Sequence, residues 1–277
     1  MIELRDDLAK HFTGAGSFDA IMALDGEVYR SVLGRRTLRF VCGGKSYFAK
    51  LHYGVGWKEI LKNLYRFRLP ILGAWTEKKA IDCLHALGVN TMTVAGYGRR
   101  GWNPARLQSF IITDDLQNTL SLEEYCRFWS QRRPSFRLKK ALVDKLAQVA
   151  RTLHENGVNH RDFYICHFLM KVDSCGEPID SDNPLLFLID LHRMQLRKRT
   201  PLRWIIKDIA SLYFSTLDLG LTSRDVLRFV RAYKNTALRQ TLENDKGFWR
   251  LVTRRAIRLY QRDFGKTPTL PISCPEG

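Results

Sequence analysis

"NHRDFYICHF", residues Asn159–Phe168, decides how the rest of the chain is read. It crowds His160, Arg161, Asp162, Tyr164, Cys166 and His167 between an amphipathic segment and an apolar one. Such a string suits a metal cluster, a nucleophile site or the catalytic loop of a phosphotransferase, and each needs different partners elsewhere. A zinc site would draw on His160, His167 and His192, but no HExxH, H-x-x-E-H or cysteine partner accompanies them. Cys166 as a nucleophile is weaker still, because Ile165 and Phe168 beside it make it read as an apolar filler.

Phosphoryl transfer on a two-lobed scaffold needs four separated parts: a lysine on the phosphates, an acid orienting it, a base for the hydroxyl and a metal-holding acid. Each has a candidate in the correct order. Lys50 closes the alternating run "SYFAK", and Glu77 opens the next helix, where it can pair with that lysine. Asp162 sits in "HRD" directly after a long amphipathic run, and Asp190 ends the apolar run "FLID". Any one of them alone is weak. Four in sequence, each in the expected element, carry the argument.

The surrounding pattern supplies those elements. Gly26–His52 alternates apolar and polar residues around Gly34 and the Gly43-Gly44 pair, which predicts three antiparallel strands. Trp57–Leu72 reads as a basic amphipathic stretch ending near Pro70. Thr76–Val89 reads as a helix capped by Thr76 and stopped by Gly88. Ser109–Leu116 is a buried strand running into acids, and Ser121 precedes Glu124 at capping-box spacing. Leu142, Leu146, Val149 and Leu153 form a helical stripe stopped by Gly157. Two short strands flank the polar loop Asp173–Pro184, and the remainder is helical in pattern. The layout is α+β and two-lobed, not alternating βαβ.

Composition bounds the rest. A chain of 277 residues buries a substantial core as one large domain or two lobes. No apolar run approaches the ~18–20 residues that span a bilayer. The opening "MIELRDDLAKHF" is acidic where a signal peptide is basic, so the expectation is a protein kept in the cytosol. Six scattered cysteines without a C-x-x-C fit reduced thiols. The net charge of +17 attracts polyanions: nucleic acid, an anionic membrane face, a phosphorylated glycan or an acidic protein. Nucleic acid is disfavoured, since no helix-turn-helix, finger or RNP-like string accompanies the charge.

The order of the four parts resembles the protein-kinase-like superfamily, with "DLH" standing where its "DFG" would be. The stretches "RRTLRF", "GKSYF", "NHRDFYICHF", "IDLHR" and "KDIASLYFS" resemble one branch closely, the bacterial lipopolysaccharide core heptose(I) kinases. The likeness runs from "GEVYR" to the helical C-terminal region. It implies a kinase fold with an ATP-binding N-lobe over residues 1–113, a small mainly antiparallel sheet with one main helix. A larger, mostly helical C-lobe over 114–277 would hold the catalytic loop and bind the acceptor. It further implies ATP and Mg²⁺ as cofactors, with phosphorylation of the first heptose of the inner core on the cytoplasmic face of the inner membrane. Transferred residue by residue, Asp162 is the catalytic base, Lys50 touches the ATP phosphates with Glu77 holding it, and Asp190 binds Mg²⁺. Asp114 and Asp115 mark the hinge whose backbone would grip adenine, and Asp208 braces the catalytic loop.

Three departures keep alternatives open. "SVLGRRTLR" has Gly34 but no G-x-G-x-x-G, so Arg35 and Arg36 either replace phosphate-binding amides or are exposed turn residues. His167 stands where the second metal-holding Asn is expected, so it either meets phosphate or metal-bound water, or is packed and oriented by Asp162 or Asp190. Leu191-His192 replaces Phe-Gly. A pseudokinase or binding scaffold is the alternative from another class, and a protein tyrosine kinase a further one. Lys58, Lys62, Arg66 and Arg68 against Trp57, Ile60, Leu61 and Leu64 would rest on anionic lipid headgroups, or else form an ordinary packed helix. The basic C-terminal half, including Arg224, Arg231 and Arg254, would meet phosphates and acidic sugars of the lipopolysaccharide acceptor, or acyl carrier protein.

Overall fold

Alternation in Gly26–His52 yields the three strands expected of it. The computed structural model describes residues 1–32, 34–65 and 73–271. β1 (Ile2–Leu4), α1 (Asp6–Ala9) and α2 (Ser17–Met22) lead into β2 (Glu27–Val32), β3 (Arg35–Cys42) and β4 (Lys45–His52). α3 (Gly56–Tyr65), α4 (Trp75–Ala86), β5 (Val94–Arg100) and β6 (Gln108–Asp114) follow. The strands pair antiparallel in the order β1-β5-β6-β4-β3-β2. The period of two sends Tyr47, Ala49 and Leu51 of β4 into a core with Leu8, Phe18, Leu38 and Phe110, and leaves Lys50 on the opposite face. Each large apolar side chain buried there contributes roughly 1.5–3 kcal/mol. Core burial, not any surface ion pair, therefore holds β4 in place beneath Lys50.

These elements belong to a first unit formed by Met1–Ala86, Thr91–Gln117 and Leu191–Arg193. It extends past the division expected at 113/114 because the acids at the end of β6, Asp114 and Asp115, are tied back to it. Arg5 grips Asp114 through two bonds of 2.6 and 2.8 Å, and Asp115 accepts from Arg39 and Ser46. The helix expected from Thr76 starts at Trp75, with Thr76 inside its first turn. Ser109 Oγ of β6 accepts from the Ala74 amide, so a neighbouring strand, not Thr76, serves the helix start. Of the apolar face expected on α3, Ile60 is buried while Trp57 and Leu61 are exposed, as is Tyr65 beside them, and the Leu64 side chain lies outside the described residues. Arg66, Arg68 and the remainder of that stretch to Leu72 lie outside the described residues.

The second unit comprises Leu87–Asn90, Asn118–Asp190 and Met194–Gly277. It runs through β7 (Thr119–Ser121), α5 (Leu122–Cys126), α6 (Phe136–Glu155), β8 (Val158–Asn159), β9 (Phe168–Lys171), β10 (Leu186–Leu188) and β11 (Gln195–Leu196). It closes with α7 (Leu202–Phe214), α8 (Ser223–Lys234), α9 (Leu238–Asn244) and α10 (Lys246–Phe264). Ser121 and Glu124 form the expected capping box on α5. The stripe Leu142, Leu146, Val149 and Leu153 buries one face of α6. Gly157, at φ +76°, turns the chain after that helix where a Cβ would fall 1.8 Å from the Arg197 carbonyl oxygen. Only glycine fits both constraints. The result is the expected α+β organisation, a sheet-rich first unit and a mostly helical second. Among the described residues, no helix is long and apolar enough to cross a membrane.

Candidate active site

In the first unit, Lys50 and Glu77 meet as expected. The ammonium donates to Glu77 Oε1, and the carboxylate is almost wholly buried on the first turn of α4. Opposite Lys50's neighbour strand, Arg35 pairs in register with His52. Arg35 Nε, His52 Nε2 and Glu77 Oε2 are buried polar atoms without a hydrogen-bond partner among the described residues. Burial above all, and then the Arg35 charge, push His52 down to about 4, so the imidazole is neutral at physiological pH. A cationic lysine held by a buried acid, beside an arginine with an unused donor, suits the oxygens of a polyphosphate.

The two arginines after Gly34 differ. Arg36 donates to the Leu24 carbonyl and to Asp25 at 3.2 and 3.0 Å, so its guanidinium is held by its own unit. Arg35 is the one with capacity to spare. Gly34 itself adopts φ +77°, and a Cβ there would lie 2.4 Å from the Gly54 carbonyl oxygen. The turn therefore depends on glycine although the longer glycine-rich motif is missing. Asp114 and Asp115 have their amides bound to the Thr93 and Ser46 carbonyls as well as their carboxylates bound to Arg5, Arg39 and Ser46. Their side chains and N–H groups thus serve the end of the sheet.

In the second unit the expected catalytic loop is held by a chain of buried and part-buried bonds. Asp208, fully buried on α7, accepts from the His160 amide at 2.6 Å and the Arg161 amide at 2.8 Å. Arg161 takes φ +76° and Asp190 φ +60°, a conformation non-glycine residues adopt only when the surroundings enforce it. His160 is completely buried, its pKa lowered chiefly by desolvation. The carbonyl of Ile189 lies 3.0 Å from His160 Nε2, so that nitrogen carries the proton. The Ile189 amide in turn donates to the His167 carbonyl at 2.9 Å. His167 Nδ1 donates to the Asp162 carbonyl at 2.7 Å, and its Nε2 stands 3.6 Å from Asp190 Oδ2. A closed circuit of contacts therefore fixes Asp162 relative to Asp190, with His167 at its centre.

Sequence reasoning missed His154. Its Nδ1 lies 2.9 Å from the Tyr233 hydroxyl and its Nε2 3.6 Å from Asp208 Oδ2, extending the brace from α7 to α8. Nothing local marks that histidine, which sits on the buried side of α6 among apolar residues. The competing chemistries find no support among the described residues. No cluster of three metal-ligating side chains occurs among the described residues. Burial pushes the Cys166 thiol up to about 11, the wrong direction for a nucleophile. Mg²⁺ asks for less: one or two carboxylates, with phosphate and water supplying the other ligands. The Asp190 carboxylate fits that demand.

Known proteins are similar to this chain over nearly its whole length. The model of the lipopolysaccharide kinase (Kdo/WaaP) family matches residues 19–233. The lipopolysaccharide core heptose(I) kinase WaaP of Pseudomonas aeruginosa is 48% identical over 259 residues, covering 94% of this chain and 96% of the relative. The enzyme of the same name from Escherichia coli K12 is 44% identical over 262 residues, covering 95% and 98%. A solved structure of WaaP in complex with acyl carrier protein superposes with a TM-score of 0.81 at 44% identity, covering 94% of this chain and 99% of the other. With the match spanning both the lysine–glutamate pair and the histidine-centred loop, the chain belongs to the lipopolysaccharide kinase (Kdo/WaaP) family.

Proposed function

We propose that this protein is an ATP-dependent kinase that phosphorylates the first heptose of the lipopolysaccharide inner core. The observation that carries the reading is the circuit joining Asp162, His167 and Asp190, set in a chain whose relatives are named for that activity. Asp162 accepts the proton of the attacking heptose hydroxyl as its oxygen bonds to the γ-phosphorus and the bond to the leaving ADP oxygen breaks. Lys50 holds the phosphates, Glu77 holds Lys50, and Arg35 contributes a further donor. Asp190 is the carboxylate that would hold Mg²⁺, whose charge, when bound, offsets that developing on the transferred group. His167 acts through the loop by anchoring the base's own backbone, and its Nε2 faces Asp190. A scaffold without catalysis is not favoured by relatives that are themselves named kinases.

Two partners accompany the reading. Acyl carrier protein is one, supported by the complex of the structural neighbour and by the excess of basic residues here. The anionic cytoplasmic face of the inner membrane is the other, where Lys58 and Lys62 beside the exposed Trp57, Leu61 and Tyr65 of α3 suit an interface between headgroups and acyl chains. The test is purified protein with Mg²⁺-ATP and core glycolipid lacking heptose phosphate. Mass analysis should find one added phosphate on the inner heptose. Failure of wild-type protein to add it, with acyl carrier protein supplied, would overturn the assignment.

A further inference from the structure

Tyr164 follows the base Asp162 by two residues, and the fold fixes both its backbone and its ring. Its amide donates to the Asp162 carbonyl at 3.0 Å, the same carbonyl that accepts from His167 Nδ1. Its own carbonyl accepts from the His167 amide at 3.1 Å. The next amide, that of Ile165, donates to Ser215 Oγ at 3.1 Å and so ties the loop to the end of α7. The ring stands nearly perpendicular to two others, its centroid 6.1 Å from that of His167 and 6.2 Å from that of Phe214. Phe214 in turn meets Tyr260 at 6.4 Å and Phe264 at 6.2 Å, so an aromatic wall runs from the catalytic loop to α10.

That packing leaves part of Tyr164 unused. The residue is half-buried, not enclosed, and its hydroxyl makes no hydrogen bond to any of the described residues. Arg262 of α10 comes within electrostatic reach of it, but Arg262 directs Nε and one terminal nitrogen to Asp263, at 2.6 and 3.0 Å. Packing alone is served by phenylalanine, as at Phe214 and Phe264 in the same wall. The hydroxyl adds a donor and an acceptor at the rim of a rigid ring, and such amphipathic rings suit surfaces that are apolar at one end and wet at the other. A sugar ring is such a surface: a patch of C–H bonds fringed by hydroxyls.

We infer that Tyr164 binds the acceptor sugar, its ring packed on the C–H face of the heptose and its hydroxyl bonded to a heptose hydroxyl other than the one phosphorylated. This rests on the heptose kinase reading and adds to it a residue that positions the acceptor. Tyr164 and Asp162 share one hydrogen-bonded turn, so a sugar held by the first presents its reacting hydroxyl to the second in a fixed geometry. A site that reads a hydroxyl by hydrogen bonding also rejects sugars that lack it. Tyr164 is then a specificity residue that touches the substrate away from the reacting atoms.

Two measurements test it. The first is kinetic, on full-length protein with core glycolipid lacking heptose phosphate. Tyr164→Phe keeps the ring and removes only the hydroxyl, so the acceptor KM should rise about two- to tenfold, the usual worth of one hydrogen bond, with the KM for ATP and the melting temperature unchanged. Tyr164→Ala should raise the acceptor KM further. Acceptors that each lack one heptose hydroxyl then locate the contact: for one of them wild-type protein should show the penalty that Tyr164→Phe shows on the full acceptor, and the variant should lose nothing more. An acceptor KM unchanged in Tyr164→Phe, losses that multiply for every deoxy acceptor, or an equal loss of ATP affinity would overturn the proposal. The second measurement does not depend on transfer. Methyl heptoside is titrated into protein saturated with a non-hydrolysable ATP analogue, following the tyrosine ring signal that Tyr164→Phe removes. That signal should shift saturably, and glucitol, an open-chain polyol without a ring face, should not shift it. No shift from the heptoside, or an equal shift from glucitol, sinks the site. If wild-type protein phosphorylates no glycolipid, the kinase reading fails, while this titration still decides whether Tyr164 binds a sugar ring.

Discussion

Lys50 lies within a regular antiparallel strand, held by core side chains on the opposite face and touched by one buried acid. Asp162 lies in a loop with a left-handed residue just before it, suspended from Asp208, Ile189 and His167 by five hydrogen bonds or close contacts. The first arrangement is what a strand does unaided. The second exists only because distant segments over-determine it, which is how strained conformations persist at functional sites. Function and stability should therefore separate in different ways in the two units.

The largest effects are expected in the loop. Asp162→Ala should lower the rate by ~10²–10⁴-fold, the usual range for losing a general base, with little change in melting temperature. Asp208→Ala should match that loss of activity and also destabilise by about 3 kcal/mol or more, since it leaves one buried and one part-buried amide without their acceptor. Circular-dichroism melts beside turnover assays separate the two. If Asp208→Ala melts like wild type, the brace is not what holds Arg161 at its positive φ.

Next comes the pair in the first unit, where the strand needs no brace but the buried charge needs its partner. Lys50→Ala should lose activity and also stability, by ~3–5 kcal/mol, because the buried Glu77 is left without its partner. Glu77→Ala should be milder on both counts, since Lys50 is more exposed than its partner. The double variant should melt above Lys50→Ala and lose less activity than the two single losses multiplied. Strict multiplication would mean that Glu77 does not position Lys50.

His167 is the smaller test within the loop. Asn can still donate to the Asp162 carbonyl and offers an oxygen toward the metal, whereas Ala does neither. Removing such a supporting contact typically costs 10–100-fold, so His167→Ala should fall in that range and His167→Asn should keep a measurable part of the activity. The Asn variant should also change the dependence of rate on Mg²⁺ concentration. Equal inactivity of both variants, with earlier melting, would make His167 a packing residue alone.

The contrast also explains what could be read from the sequence. The Lys50–Glu77 pairing and the placing of Asp162 and Asp190 as candidates were legible because each sits in an element with a local pattern, and so were the strands of Gly26–His52 and the stripe of α6. Ser109 at the start of α4, Arg5 on Asp114 and His154 beneath Asp208 were not. Each of these depends on a contact between segments far apart in the chain, which leaves no periodicity behind. Thr76 misled for the same reason: a capping residue type was present, but a strand supplied the acceptor instead. In α3 the amphipathic pattern was right, yet it does not say whether an apolar face is covered, and Trp57, Leu61 and Tyr65 are exposed.

The smallest effect on catalysis is expected from a comparison of the two units by acid, which reads stability and leaves the transfer step alone. Each contains one buried histidine with a lowered pKa, His52 in the first and His160 in the second. Both stay neutral in the folded protein, while the unfolded chain takes up a proton below pH 6.5. Protonation therefore favours unfolding: the stability these groups confer is complete above pH 6.5 and is lost as the pH falls toward the folded value, about 4 for His52. A shift of that size corresponds to about 3 kcal/mol for His52 across the window. Asp7, held below the usual carboxylate range chiefly by its hydrogen bonds from Arg5, gives up its contribution only at lower pH, so it does not blur the window. Urea unfolding of wild-type protein between pH 7 and 4 should show falling stability. His52→Gln should flatten the part of that slope belonging to the first unit, leaving the part due to His160. An unchanged slope in the variant would mean that His52 carries its proton in the folded state, and that the cation-rich neighbourhood of Lys50 and Arg35 does not exclude another positive charge.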